Sequence, residues 1–122
     1  MSSSTWRWTD DGLVDEDDRR VGWPALGVLG HPVGHSFSPR LHGAALAVRG
    51  LDLEYRAIEV TSDRLEAALA SARAAPVRGL NLTVPHKQAV LRICERVSDE
   101  AREIGAVNTL VAREGCWHAH NT

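Results

Sequence analysis

The chain has 122 residues, 43% of them hydrophobic and 25% charged, with a formal net charge of −2 at pH 7; this suits one soluble globular domain with a real core. So small a charge gives no electrostatic reason for a nucleic-acid or anionic-membrane partner, and no apolar run is long enough to span a bilayer. The two cysteines, Cys94 and Cys116, form no C-x-x-C pair and read as reduced thiols of a cytoplasmic protein.

The first stretch, "MSSSTWRWTDDGLVDEDDRR", is polar, acidic in the middle and without an apolar h-region, so it is no secretory signal. It shows no sustained periodicity, and residues 1–23 read as a disordered leader before a domain over 24–122. "ALGVLG" (25–30) is a short apolar run ending on glycine, as a buried strand does. "SPRLHGAALAVRG" predicts a helix with Ser38 as N-cap, Pro39 as first helical residue and Gly50 as stop. Leu41, Ala44, Ala45 and Val48 mark its buried face. "EYRAIEV" (54–60) alternates as a strand, and "SDRLEAALASARAA" predicts a helix capped by Ser62 with Leu65, Ala68, Leu69 and Ala72 inward.

"VRGLNLTV" (77–84) is a third strand that breaks at Pro85, and residues 85–96 look helical. "SDEAREIG" (98–105) is a short capped helix, and "AVNTLVA" and "CWHAH" are strands joined through Arg113-Glu114-Gly115 as a hairpin. Strands alternating with helices predict a three-layer α/β/α domain with a mostly parallel sheet and an antiparallel hairpin at the C-terminal end.

Ligands of α/β sheets sit at the carboxyl ends of strands, where three polar clusters fall: His35-Ser36-Phe37-Ser38, Asn81 to Lys87, and Asn108-Thr109. Ser38 doubles as a helix cap, whereas Ser36 has no such role and points to the loop. Neither lies in a G-x-S-x-G elbow, which argues against a serine hydrolase. Two hydroxyls beside a helix N-terminus suit a carboxylate. Lys87 falls in the first turn of the helix that Pro85 opens, where the positive end of the dipole disfavours an ammonium charge. It is either a solvated surface lysine or a group tuned to give and take a proton near neutral pH. The histidines offer no metal site: His31 and His35 share a loop with Pro32 and Gly34, and nothing completes a ligand set around His118 and His120.

"GHPVGHSFSPRLH", "GLNLTVPHK" and "IGAVNT", in that order, resemble the substrate-binding domain of shikimate dehydrogenase over residues 25–122. The resemblance implies reduction of 3-dehydroshikimate to shikimate with NADPH, on the route to chorismate and the aromatic amino acids. It places the substrate carboxylate on Ser36 and Ser38, the ring hydroxyls on Asn81, Thr83 and Asn108, and proton transfer on Lys87. NADP itself belongs to a second, Rossmann-type domain, and no G-x-G-x-x-G fingerprint occurs in these residues. A separate NADP-binding chain or a homodimer is the implied partner. Three departures stand out. Gly43 replaces the family's usual asparagine, a common glycine is replaced around Ala119, and the sequence runs to Asn121-Thr122 where the family continues with an aspartate that partners the lysine. The resemblance therefore implies a truncated chain, inactive alone, with a non-catalytic shikimate- or quinate-binding module or a remnant as alternatives.

Overall fold

A computed structural model describes residues 5–32 and 54–121. Eight strands are ordered β1 (Thr5–Thr9), β2 (Gly12–Val14), β3 (Leu26–Gly30), β4 (Tyr55–Glu59), β5 (Gly79–Leu82), β6 (Arg96–Val97), β7 (Thr109–Arg113) and β8 (Cys116–His120) along the chain. Helices α1 (Leu65–Ala74), α2 (His86–Ile93) and α3 (Asp99–Ile104) alternate with them, and a 3-10 turn over Ser62–Arg64 leads into α1. All these strands join one sheet in the order β2-β1-β4-β3-β5-β7-β8-β6. Four of its neighbour pairs are parallel (β1 with β4, β4 with β3, β3 with β5, β8 with β6) and three are antiparallel. The fold is mixed α/β, with a mostly parallel sheet and antiparallel strand pairs.

Alternation decides which side of the sheet is apolar. Leu29, Ile58, Leu80, Leu82, Leu110, Trp117 and Ala119 form one buried cluster with Leu65, Ala68, Leu69 and Ala72 of α1, Val90 of α2 and Ala101 of α3. The four α1 residues fall at the i, i+3, i+4, i+7 spacing that their sequence pattern predicts. Trp117 adds a polar tie, its indole N–H donating to the Leu69 carbonyl at 3.0 Å. Val28 and Ala57 make a second, smaller cluster with Tyr55.

Local chemistry sets the ends of α3 and of the β7–β8 hairpin. The Ser98 hydroxyl accepts from the Ala101 amide at 3.1 Å, and Gly105 ends the helix in the left-handed region at φ 81°. Glu114 and Gly115 both have positive φ, 55° and 75°, between the paired residues Arg113 and Cys116. That is the two-residue turn whose twist matches a hairpin.

Several sequence expectations shift. The leader expected to be disordered over 1–23 instead contributes β1 and β2, because β1 finds a partner strand in β4 (Trp6 opposite Ile58) and buries Trp6 in the core. Such pairing is non-local and leaves no local signal. The helix expected over 85–96 ends at Ile93, and Arg96–Val97 pairs with β8 as a short strand. A 3-10 turn with Thr61 at its N-cap replaces the Ser62 cap. The loop at 33–38 and the helix expected from Pro39 to Gly50 lie outside the described residues.

Gly27 is hemmed in on both sides within the sheet. A Cβ added there would meet the Arg56 carbonyl oxygen at 3.0 Å and a Leu80 methyl at 3.3 Å. The backbone of a paired strand cannot step aside, so Gly27→Ala is expected to destabilise the domain by about 1–3 kcal/mol, read from its urea midpoint. Gly22→Ala, where no atom stands within 4 Å of the added Cβ, is the control that leaves the midpoint nearly unchanged.

Candidate functional site

Strand order locates a switch point. From β3 the chain passes to β4 on one side, whereas the elements after β5 build β7, β8 and β6 on the other. Such a switch point opens at the carboxyl ends of the two strands, here β3 and β5. Their parallel pairing carries on past the strand ends: the Thr83 amide donates to the Leu29 carbonyl and the His31 amide to the Val84 carbonyl, both at 2.9 Å. Asn81 through Pro85 therefore runs alongside Leu29 to His31 at this end of the sheet.

Antiparallel β7 brings a second segment to the same place. The Leu82 amide donates to the Asn108 carbonyl at 2.8 Å, and the Asn108 amide donates to the His120 carbonyl at 3.0 Å. The Val107 amide donates to the Lys87 carbonyl at 2.7 Å, which ties the start of α2 to the strand carrying Asn108. Side chains extend the tie. Asn81 Nδ2 donates to the Asn108 carbonyl and to Thr109 Oγ1, both at 3.3 Å, and Thr109 Oγ1 donates to Asn108 Oδ1 at 2.9 Å. Tyr55 Oη, from β4, donates to Asn81 Oδ1 at 2.6 Å. The result is one directed chain, Tyr55 to Asn81 to Thr109 to Asn108, whose bonds reinforce one another where water is partly excluded.

Lys87 is exposed in the first turn of α2. The residue before it is its opposite: His86 is wholly buried and its Nε2 lies 2.6 Å from the Val60 carbonyl, at the end of β4. A carbonyl only accepts, so Nε2 carries a proton in this contact. Burial is the main force that lowers its pKa below the usual histidine range; the bond to Val60 opposes this, and nearby His31 adds to it. The other ring nitrogen, Nδ1, is buried without a hydrogen-bond partner among the described residues. His86 thus fixes the start of α2 against β4 and with it the root of Lys87.

Of the residues singled out from sequence, Asn81, Thr83, Lys87 and Asn108 come together at this end of the sheet. Ser36 and Ser38 lie outside the described residues. Sequence reading missed Tyr55 and His86. For His86 a signal existed, since it lies four residues before buried Val90 on the same helical stripe. For Tyr55, an alternating strand position gives no hint that its hydroxyl reaches a neighbour two strands away.

Amides, a hydroxyl and one lysine gathered at a switch point are the kinds of group with which α/β domains hold small molecules. The family model for the shikimate dehydrogenase substrate binding domain matches residues 28–110, and the chain belongs to that family. It is 53% identical over 96 residues to an NADP(+) shikimate dehydrogenase from Anaeromyxobacter sp. (strain Fw109-5), spanning 79% of this chain and 34% of that protein. Against the NADP(+) shikimate dehydrogenase of Symbiobacterium thermophilum it is 47% identical over 97 residues, 80% of this chain and 33% of the relative. The crystal structure of shikimate 5-dehydrogenase from Thermus thermophilus, in complex with NADP(H) and shikimate, superposes with a TM-score of 0.76 at 45% identity, over 79% of this chain and 36% of that one. The chain spans about a third of the length of the relatives it matches.

The relatives' names include NADP, but the described residues do not form a dinucleotide cradle. Such a cradle needs a glycine-rich turn from a strand into a helix. Here β4 leads to α1 through Val60-Thr61 and the 3-10 turn, and β5 leads to α2 through Thr83-Val84-Pro85, all without glycine. These residues do not fit the cofactor, and no step through it follows from them.

His86 makes stability depend on pH in a defined direction. Its folded pKa lies below its unfolded value of about 6.5, so the unfolded chain takes up the proton first. The contribution is complete above that value and is lost as pH falls toward the folded pKa. The urea midpoint is expected to drop between about pH 7 and about pH 5. In His86→Gln, which keeps a donor without the titration, that drop is smaller.

Proposed function

We propose that this chain is the substrate-binding part of a shikimate dehydrogenase and holds shikimate and 3-dehydroshikimate at the β3–β5 switch point, in the service of chorismate and aromatic amino acid synthesis. The observation that carries the proposal is the backbone linkage of Leu82 and Lys87 to the Val107-Asn108 segment, which brings the Asn81–Lys87 and Asn108-Thr109 signatures side by side. The family membership and the Thermus relative's complex with shikimate support it.

Each residue has a role that its chemistry suits. Asn81, Thr83 and Asn108 offer donors and acceptors to ring hydroxyls. Because the amides of Asn81 and Asn108 are already oriented by Tyr55 and Thr109, little side-chain freedom is lost when a ligand binds. A rim that pairs hydroxyl groups rejects analogues lacking one, since its own polar atoms would be left unpaired. Ser36 and Ser38 are assigned to the carboxylate. Lys87 Nζ gives its proton to the carbonyl oxygen of dehydroshikimate as that carbon is reduced, and takes it back in the reverse direction. The hydride would have to come from NADPH held by a separate nicotinamide-binding unit.

Two measurements test this reading. Titration of the 122-residue chain with shikimate, followed by amide NMR, is expected to move Ser36, Thr83, Lys87 and Asn108 together with one dissociation constant; no movement at all four overturns it. The same chain mixed with NADPH and 3-dehydroshikimate is expected to oxidise NADPH only at background, so turnover by it alone would contradict the need for a second unit. When the chain is joined to a nicotinamide-binding domain from a family relative, turnover is expected to appear. Lys87→Ala in that fusion should then lower kcat by about 10²–10⁴ with little change in KM. Binding without turnover in the fusion would instead make the chain a non-catalytic binding module.

A further inference from the structure

A concave site of a different kind lies away from the polar rim. Helix α2 ends at Ile93, and the next residue, Cys94, is extended at φ −89° and ψ 134°. Beside that exit a cavity of about 340 Å³ opens against α1, a size that holds small molecules. One wall is the α1 stripe Glu66, Leu69, Ala70 and Arg73, whose i, i+3, i+4, i+7 spacing puts them on one face. The other wall is Ile93 to Glu95, and Trp117 of β8 also lines the space. These residues belong to the end of α2 far from Lys87 and to the start of β8, and none of them is a group of the rim.

The lining combines buried apolar groups with exposed charges. Leu69 and Trp117 are buried, and the indole bond to the Leu69 carbonyl holds the Trp117 ring in place. Burial pushes the Cys94 thiol up to about 11, so it adds no charge at neutral pH. Among the described residues no group of three His, Cys, Asp or Glu is able to hold a metal ion. Glu66, Arg73 and Glu95 are exposed, and none of them takes part in an ion pair among the described residues. They supply two carboxylates and one guanidinium, one negative charge in excess. Along α1, Glu66 and Arg73 stand seven residues apart, about 10 Å at the helical rise.

A ligand that answers all three charges needs one carboxylate, two cationic groups and an apolar stem between them. A basic α-amino acid has that pattern. Its carboxylate suits the guanidinium fork of Arg73, and its α-ammonium, beside that carboxylate, suits Glu95 of the other wall. The side chain then runs along α1 over Ala70 and Leu69 and brings its terminal cation to Glu66. A stem of this kind lies on apolar surface while its charged head stays in water. The excess negative charge of the cavity favours a ligand of net positive charge over a lone anion such as shikimate. We infer that this cavity binds a basic amino acid of the lysine type, at a site separate from the one assigned to shikimate.

The test titrates the 122-residue chain with L-lysine and follows the Trp117 indole N–H and the amides of Arg73 and Glu95 by NMR. These signals are expected to move together with one dissociation constant, while Thr83 and Asn108 stay in place. Norleucine, which has the stem without the terminal ammonium, and cadaverine, which is lysine without its carboxylate, are each expected to bind about threefold to fivefold more weakly. Glu66→Gln is expected to bring lysine down to the affinity of norleucine and to leave norleucine unchanged. Arg73→Gln is expected to bring lysine down to the affinity of cadaverine. The inference is overturned if Trp117 does not respond to lysine at about 10 mM, or if the three ligands bind alike. It is overturned equally if Glu66→Gln weakens norleucine as much as lysine. Shikimate, read at Thr83 and Lys87 in the same sample, reports on the other site independently.

Discussion

Asn108 is held by its backbone on both sides, its carbonyl taking the Leu82 amide and its own amide reaching the His120 carbonyl. Everything at the switch point hangs on that double attachment. It is possible only because β7 runs antiparallel beside β5, which puts the residues just before Thr109 next to those just after Asn81. A parallel strand there would carry the same residues to the far end of the sheet. Side chains then elaborate what the backbone has set: the directed chain from Tyr55 to Asn108 needs four groups from three strands and the turn beside them, and removing any one takes a partner from a neighbour's polar atom. The site is less a set of residues that happen to meet than the place where one antiparallel strand is let into a parallel sheet.

The root of Lys87 rests on a different balance. A wholly buried imidazole is a costly way to start a helix, and one strong bond to Val60 offsets only part of that cost. A leucine would pack as well but would leave the Val60 carbonyl without its donor. The arrangement ties α2 to the end of β4 by direction as well as by packing, which an apolar side chain does not do. Lys87 itself reaches solvent while the backbone beneath it is tied to β4 and to Val107.

How much of this was legible in the sequence follows from range. Helix α1 shows its buried stripe within eight residues, and α3 shows its serine cap and glycine stop, because both signals are local. The polar signatures at Asn81, Thr83, Lys87 and Asn108 are legible as short motifs, and α/β periodicity correctly places the first three at a strand end. β1 and β2 are not read as strands because β1 pairs with a strand about fifty residues away and the acidic turns resemble a flexible tail. Yet "WTDDGLV" does hold a hairpin signal, a D-G turn between alternating residues. Arg96–Val97 is out of reach, since two residues cannot show a period. Tyr55 is out of reach as a site residue for another reason: its importance lies in the amide that faces it, which only the folded register decides, and for His86 the helical stripe shows burial but not the Val60 carbonyl it meets.

The tight turn at Glu114-Gly115 has a practical consequence for work on this molecule. β7 leaves the switch point at Thr109 and reaches the turn five residues later, a distance of about 17 Å at the usual strand rise. Both turn residues are exposed, and the left-handed backbone there is satisfied by a glycine at one of its two positions. A fluorophore, affinity handle or surface tether placed at Glu114 would sit at the opposite pole from the polar rim. Immobilised that way, the domain would present its open end outward, in one orientation, to whatever solution flows past it.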